Sequence, residues 1–153
     1  MHKPFFEKVE FGDSYVIRMV PDDDIPQKIV SFCKDNRITH AVIISAIGSA
    51  KEVVFRDLLA GVKIPLGPSK TNELRMMGPY EILSFEGNVF PMNNELVVHL
   101  HAMLGTENGS VCGGHIMQAK VLSTLELILV EIKKTNSYRM KSAITGLNEL
   151  LID

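Results

Sequence analysis

One stretch, residues 95–118, constrains the fold more than any other, because it has the pattern of a β-hairpin. Residues 95–105 are apolar and rich in β-forming side chains, and the Glu-Asn-Gly sequence at 107–109 is typical of a turn before a second strand. Side chains alternate between the two faces of a strand. We therefore expect His99 and His101 to project from the same face.

The length of the turn decides whether a third histidine, His115, joins them. With a two-residue turn, His115 would lie opposite Ala102 and point to the other face. With a three-residue loop at 107–109, His115 lies directly opposite His101. Loops of this kind favour glycine in the left-handed conformation at the third position, which Gly109 occupies. Because directly opposed residues have Cβ atoms about 5 Å apart, the second geometry predicts that three imidazoles converge.

Converging neutral imidazoles are a ligand set for zinc or another divalent transition metal. Three protein ligands would leave a fourth position for water or a substrate oxygen. Gly113 and Gly114 remove side-chain bulk just before His115 and would let a ligand or another backbone approach. The alternative is that these are half-buried histidines of a sheet without a metal. The pattern favours a metal, with His99, His101 and His115 as its ligands.

Length, charge and cysteine content bound the class of protein. The chain has 153 residues, which predicts a single domain spanning 1–153 with a proper core. A net charge of −2 and a pI near 6.2 give no electrostatic footprint for nucleic acid. Two cysteines far apart in sequence do not suggest a disulfide framework, and they favour a reducing cytoplasm. We predict no signal peptide and no membrane-spanning segment.

The remaining patterns predict an α+β fold. Apolar and alternating runs predict further strands at 14–20, 39–44, 51–56, 80–90 and 121–134. The run at 39–44 is apolar enough to be buried on both faces, and the small residues at 45–49 suit a tight bend. Acidic residues at 22–24 followed by Pro26 predict one helix. Together they predict a sandwich-like, predominantly antiparallel or mixed sheet, partly barrel-like and covered by one main helix.

Residues 57–79 form the least regular part of the sequence and are predicted to be a long connection. They carry sizeable apolar residues, namely Val62, Ile64, Leu66, Leu74, Met76 and Met77. A solvated loop would not need them, so we expect some to be buried on their own subunit or on a neighbour. In the strand that follows, alternation predicts that Glu81, Leu83 and Phe85 share one face.

Several segments occur together in an order that resembles a known family. They are Ala-Ile-Gly-Ser at 46–49, Val-Phe-Arg at 54–56, Gly-Pro-Tyr-Glu-Ile-Leu-Ser-Phe-Glu-Gly at 78–87, His-Leu-His-Ala at 99–102 and Asn-Gly-Ser-Val-Cys-Gly-Gly-His at 108–115. In this order and spacing they resemble the PPC (plants and prokaryotes conserved) domain, over roughly residues 15–134.

The resemblance implies a sandwich-like α/β fold that assembles as a homotrimer. In plant nuclear proteins, a PPC domain follows AT-hook motifs that bind A·T-rich DNA, and it mediates assembly. This chain contains no Arg-Gly-Arg-Pro hook, so it resembles the free-standing prokaryotic form, in which the hairpin histidines hold a metal. The alternative is a DNA-associated regulatory or assembly protein without its own hook, which the acidic pI disfavours.

The activity stays open between two kinds of function. One is metal-dependent hydrolysis, for which Glu81 as general acid or base and Arg56 as an oxyanion stabiliser are the candidate catalytic residues. Both lie in segments that resemble the family. The alternative is that Glu81 forms an ion pair in the sheet and Arg56 contacts another subunit. The other kind of function is a trimeric module whose metal stabilises the fold or senses a small-molecule ligand.

Overall fold

A computed structural model describes residues 5–152. These residues form seven β-strands, one α-helix and a short 3-10 helix at Pro68–Lys70. The elements are β1 Glu10–Met19, α1 Ile25–Asp35, β2 Ala41–Leu58, β3 Thr71–Met92, β4 Glu95–Gly105, β5 Val111–Lys133, β6 Tyr138–Lys141 and β7 Asn148–Leu151.

The five long strands form one sheet that closes on itself. Their order is β1-β5-β2-β3-β4, and β4 also pairs with β5, so β5, β2, β3 and β4 form a ring. Every strand pairing among residues 5–152 is antiparallel. Leu125, Leu127 and Leu129 of β5 are fully buried, as their spacing predicted, and they belong to the core inside the ring. The predicted α+β, partly barrel-like sheet is confirmed.

The predicted helix is α1, and its ends follow the capping residues. The Asp24 side chain accepts a hydrogen bond from the backbone N–H of Gln27 at 3.0 Å, as an N-cap should. Ile25, Ile29 and Cys33 of α1 are buried, and the helix packs against β4 and β5. Within residues 5–152, no helix is long and apolar enough to cross a membrane.

Two expectations about β2 were wrong. The predicted bend at 45–49 does not form; β2 runs unbroken from Ala41 to Leu58, with shifts of register at both ends of that segment. Nor is the run at 39–44 buried on both faces, because Ile43 is 2% exposed whereas Ile44 is 55% exposed. The reason is the ring, whose strands have one inner and one outer face. The register shifts between Ile43 and Ser45 and between Gly48 and Ala50 are bulges, which bend a strand without interrupting it.

The connection predicted at 57–79 is shorter than expected, because only residues 59–70 lie between β2 and β3. Its second half belongs to β3, which begins at Thr71 and continues the pairing with β2: Leu74 lies opposite Phe55 and Met76 opposite Val53. Met76 packs on the core, whereas Leu74 remains 47% exposed. The same extension of pairing joins the predicted strands at 111–118 and 121–134 into the single strand β5.

Glu81, Leu83 and Phe85 do not share one face. The β3–β4 register shifts between Ile82 and Ser84, which inserts one residue into β3. Ile82 and Phe85 are consequently both buried, at 6% and 2% exposure, whereas Leu83 is 54% exposed. Simple alternation fails here because a bulge moves every later side chain to the other face.

Gly48 of β2 lies so close to the backbone of β5 that the ring leaves no room there for a side chain. Its φ is +155°, and a Cβ atom built on it would overlap the Thr124 carbonyl oxygen of β5. Replacing Gly48 by Ala should therefore lower the free energy of unfolding by at least about 2 kcal/mol. Urea unfolding measures the effect. Gly67→Ala is the control, since a Cβ there meets nothing within 4 Å. Equal stability of both variants would contradict this account of Gly48.

Candidate metal centre

The turn between β4 and β5 has the three-residue loop that the sequence predicted. The backbone N–H of Thr106 donates to the Ser110 carbonyl at 2.9 Å, and that of Gly109 donates to the Thr106 carbonyl at 3.0 Å. Gly109 has a φ of +81°, the left-handed conformation. His101 accordingly lies directly opposite His115. The predicted register is confirmed.

The three histidines occupy the fork where β4 and β5 separate. The pair His101–His115 is the last of the β4–β5 pairing; beyond it, β4 pairs only with β3, whereas β5 pairs with β2 and, from Leu125 onward, also with β1. Leu100 and Ile116 point into the buried core, so the histidines beside them face outward from the ring. The fold thus delivers all three imidazoles to one patch of the outer face.

The imidazoles are close enough that they could hold a metal ion. Nε2 of His99 lies 3.2 Å from Nε2 of His101. Ring centroids are 5.1 Å apart for that pair, 4.8 Å for His99 and His115, and 5.3 Å for His101 and His115. One nitrogen from each ring lies within 4.8 Å of the other two. The prediction that the rings converge is confirmed.

Asp57, at the end of β2, anchors the third histidine. Its Oδ1 accepts a hydrogen bond from the backbone N–H of His115 at 3.1 Å. A Cβ atom on Gly114 would overlap the Asp57 carboxylate and displace that side chain, and one on Gly113 would overlap the backbone carbonyl oxygen of Ala102 on β4. The expected role of the glycines before His115 is found at both positions: another backbone approaches Gly113, and a side chain approaches Gly114.

The electrostatic surroundings keep two of the histidines neutral at pH 7. Burial lowers the pKa of His99 to about 4, and the positive charges of Arg139, His115 and His101 act in the same direction. The pKa of His115 is also lowered, first by burial, then by His101 and Arg56, while Asp57 raises it. Neutral imidazole has a free lone pair, so these shifts favour metal binding over protonation.

Arg139 of β6 is a site neighbour that the sequence did not reveal. It is 6% exposed, and its Nη2 donates hydrogen bonds to Asn88 Oδ1 at 2.7 Å and to His99 Nδ1 at 3.1 Å. Its Nη1 donates to the Asn148 carbonyl at 3.1 Å. The weak pattern of residues 137–153 gave no signal that the hairpin of β6 and β7 brings Arg139 to His99.

The two candidate catalytic residues occupy different positions relative to the histidines. Arg56 carries its charge near His115, whose pKa it lowers, and pairs with Glu73 at 2.9 Å. Glu81 lies opposite Gly105, four strand positions from His101 and so about 13 Å away along the sheet. The structure therefore brings Arg56, but not Glu81, close to the histidines.

A different carboxylate, Glu86, lies directly opposite His101 on the same face. Its Oε1 accepts a hydrogen bond from Ser84 Oγ at 3.1 Å. Two shallow depressions meet at Glu86 and His101: one extends over Ile44 and Gly87, the other over Met103 and Val111. Glu86 could have been found from the sequence by pairing β3 with β4 across a two-residue turn at Asn93 and Asn94, since the register from that turn to Glu86 is unbroken.

These features define a class: small α+β proteins with an antiparallel ring whose closing hairpin presents three outward histidines. The model of the Plants and Prokaryotes Conserved (PCC) domain matches residues 6–133, and the chain belongs to this family. The resemblance found in the sequence is confirmed.

Solved structures agree with this assignment. A plant- and prokaryote-conserved protein of Pyrococcus horikoshii is 28% identical, with a TM-score of 0.84, covering 98% of this chain and 97% of its own. A metal-containing protein of Archaeoglobus fulgidus is 27% identical, with a TM-score of 0.82, covering 94% and 96%.

Among curated proteins, the chain is similar to the bifunctional protein GlmU of Synechococcus sp. (strain JA-3-3Ab). The two are 26% identical over 140 residues, which is 91% of this chain and 20% of that protein. The chain therefore spans about a fifth of the length of the curated relative it matches.

The depressed pKa of His99 makes a prediction for the metal-free protein. The unfolded chain binds a proton near the ordinary histidine pKa of 6.5, whereas folded His99 binds it only near 4. Stability should therefore rise with pH across this window and fall as pH drops from about 6.5 to about 4. We expect the free energy of unfolding to change by roughly 2 kcal/mol across this window because of His99, after a discount for solvent screening. Urea unfolding with a chelator measures it. If His99→Gln kept the full slope, the assignment to His99 would be wrong.

Proposed function

We propose that this protein binds a divalent transition metal, zinc in the first place, through His99, His101 and His115. The observation that carries the proposal is the convergence of the ring nitrogens within 4.8 Å of one another on a rigid hairpin. The depressed pKa values of His99 and His115 support it, because they keep lone pairs available at neutral pH. The similar Archaeoglobus fulgidus protein is described as metal-containing, which also supports it.

The ligand set favours chemistry at the metal over a closed structural site. Three histidines leave one coordination position open, whereas structural zinc sites use four protein ligands. When bound, such a metal would polarise an oxygen or lower the pKa of a bound water. Within residues 5–152, the group of side chains that could hold a metal consists of these three histidines. It contains no fourth histidine, cysteine, aspartate or glutamate.

The surroundings suit a small-molecule ligand with an oxygen donor and an apolar part. The two depressions that meet at His101 contain exposed apolar side chains, Ile44 on one side and Met103 on the other. Glu86 is placed to exchange a proton with a group near His101, which its position opposite that residue allows. Arg56 can stabilise negative charge near His115. Metal-dependent hydrolysis and ligand binding both fit; Glu81, the other sequence candidate, lies opposite Gly105, about 13 Å along the sheet from His101.

Association with DNA is the weaker alternative. The net charge is −2, and the basic residues on the outer faces of β2, β3 and β5 are paired with acidic ones. In these three strands the pairs are Lys51–Asp22, Arg56–Glu73, Arg75–Glu52, Lys120–Glu52 and Lys133–Glu131. Already neutralised charges release few phosphate counterions. We therefore expect at most weak, salt-sensitive binding to a duplex.

We also propose that the protein is a homotrimer. Apolar side chains lie exposed on the outer face of the ring, including Ile44, Ile47, Met77, Leu83, Met103 and Val111. A soluble protein rarely leaves many such residues in water. A cyclic trimer would cover them with a repeated contact that closes on itself.

The two unpaired cysteines, Cys33 and Cys112, are consistent with the reducing cytoplasm that we propose as the location of the protein.

The metal proposal predicts about one zinc ion per chain by elemental analysis of purified protein. His101→Ala should abolish tight binding, because two imidazoles cannot hold the ion alone. His40→Gln is the matched control: His40 bonds to the Ser137 carbonyl, meets the Phe90 ring edge to face and is not a member of the cluster. Wild-type protein that is metal-free and takes up no added zinc would refute the proposal.

The trimer proposal predicts a trimer mass by light scattering at micromolar concentration. Leu74→Asp should weaken assembly if β3 forms the contact, because it would bury an unpaired charge. Leu74 suits the test better than Met76, which packs on its own core. Ile144→Asp is the control, since Ile144 is 74% exposed and lies beyond the residues that match the family. A monomer mass for the wild type would exclude the trimer.

A further inference from the structure

A buried arginine from outside the family-matched residues touches the histidine cluster. The family match ends at residue 133, and Arg139 lies on β6, in the hairpin that follows. Its hydrogen-bond acceptors are Nδ1 of His99, Oδ1 of Asn88 and the carbonyl of Asn148, all uncharged. No ion pair within residues 5–152 involves Arg139, and its Nε is buried without a partner. A side chain so costly to bury calls for a specific role.

The contact with His99 determines where the ring carries its proton. A guanidinium group can only donate hydrogen bonds. Nδ1 of His99 must therefore accept with its lone pair, and the proton of the neutral ring lies on Nε2. Nε2 is the atom 3.2 Å from His101 Nε2, facing the centre of the cluster. A protonated Nε2 has no lone pair for a metal ion, so this arrangement holds His99 in the form that cannot bind through that atom.

We propose that Arg139 is a positioning residue that controls metal entry, because a metal can bind Nε2 of His99 only after Arg139 releases Nδ1. The inference rests on the proposed metal site. On entry, the ring proton leaves Nε2 and, by exchange with water, a proton is bound at Nδ1, so the ring stays neutral. Asn88 Oδ1 then accepts the Nδ1–H. Asn88 lies directly opposite His99, and its Oδ1 already shares Arg139 Nη2 with that ring.

The same exchange couples the metal to the C-terminal hairpin. Arg139 also bonds to the backbone of Asn148 on β7, so it links both strands of the hairpin to the site. Once Nδ1 of His99 carries a proton, it no longer accepts a hydrogen bond from Arg139. The buried guanidinium group then lacks one partner and also lies near the positive charge of the metal ion. Both changes destabilise its buried position. Metal binding and docking of the hairpin therefore oppose each other, and the coupling acts equally in both directions.

The first test needs no metal. Long-range ¹H–¹⁵N NMR spectra of the chelator-treated protein report which nitrogen of His99 carries the proton. We expect Nε2–H in the wild type and in Arg139→Lys, which keeps a donor. In Arg139→Gln the side-chain carbonyl can accept from Nδ1–H, so the tautomer should shift. Arg18→Gln is the charge control, because Arg18 is exposed on β1, which pairs only with β5 near residues 125–133.

The second test measures zinc affinity by competition with a chromophoric chelator. Arg139→Gln should bind zinc about tenfold more tightly than Arg18→Gln, the value of one hydrogen bond that no longer has to break. Arg139→Lys should stay near the wild type. In hydrogen exchange, zinc should speed the amides of residues 138–151 in the wild type but not in Arg139→Gln.

The outcomes separate this inference from the proposed function. A wild type with His99 protonated on Nδ1, or equal affinities of Arg139→Gln and Arg18→Gln, would overturn it while leaving the metal site standing. If no variant binds zinc, the proposed function and the role in metal entry both fail, whereas the tautomer result stands. If Arg139→Gln does not fold, two measurements on the wild type still decide the question. They are the tautomer of His99 and the effect of zinc on hydrogen exchange of the amides of residues 138–151.

Discussion

The antiparallel register of β4 with β5 is the constraint on which the rest of the structure depends. It closes the ring, and it is set by a three-residue loop with Gly109 in the left-handed conformation. Because side chains alternate, a slip of one residue would turn Ile116 out of the core and His115 into it. Core and site would fail together. The same backbone pairing thus fixes the buried interior and the outward cluster of His99, His101 and His115.

Features set by neighbours in sequence could be predicted. The loop at 107–109 carries its own glycine, so the opposition of His101 and His115 followed from turn geometry alone. The helix α1 followed from its acidic cap and Pro26. These elements are decided by local hydrogen bonds and backbone preferences, which the sequence displays directly.

Features set by distant partners could not be predicted. β2 looked like two strands because nothing in its own sequence shows that β3 and β5 pair along its whole length. The bulge near Leu83 put Phe85 on the face opposite to Glu81 and Leu83, because a register shift against β4 interrupts the alternation of β3. Arg139 meets His99 across 40 residues of sequence, in a segment without strong periodicity. Such contacts depend on the closed ring and the folded-back hairpin, which exist only in the tertiary structure.

The position of the histidines at the fork also bears on what a metal would contribute to folding. All three lie within residues 99–115, a segment that backbone pairing and the loop already close without any ion. A cross-link across so short a loop removes little conformational freedom from the unfolded chain compared with one that joins distant segments. A metal bound to these histidines would therefore add little to the stability of the fold, unlike the ions that small domains must recruit in order to fold.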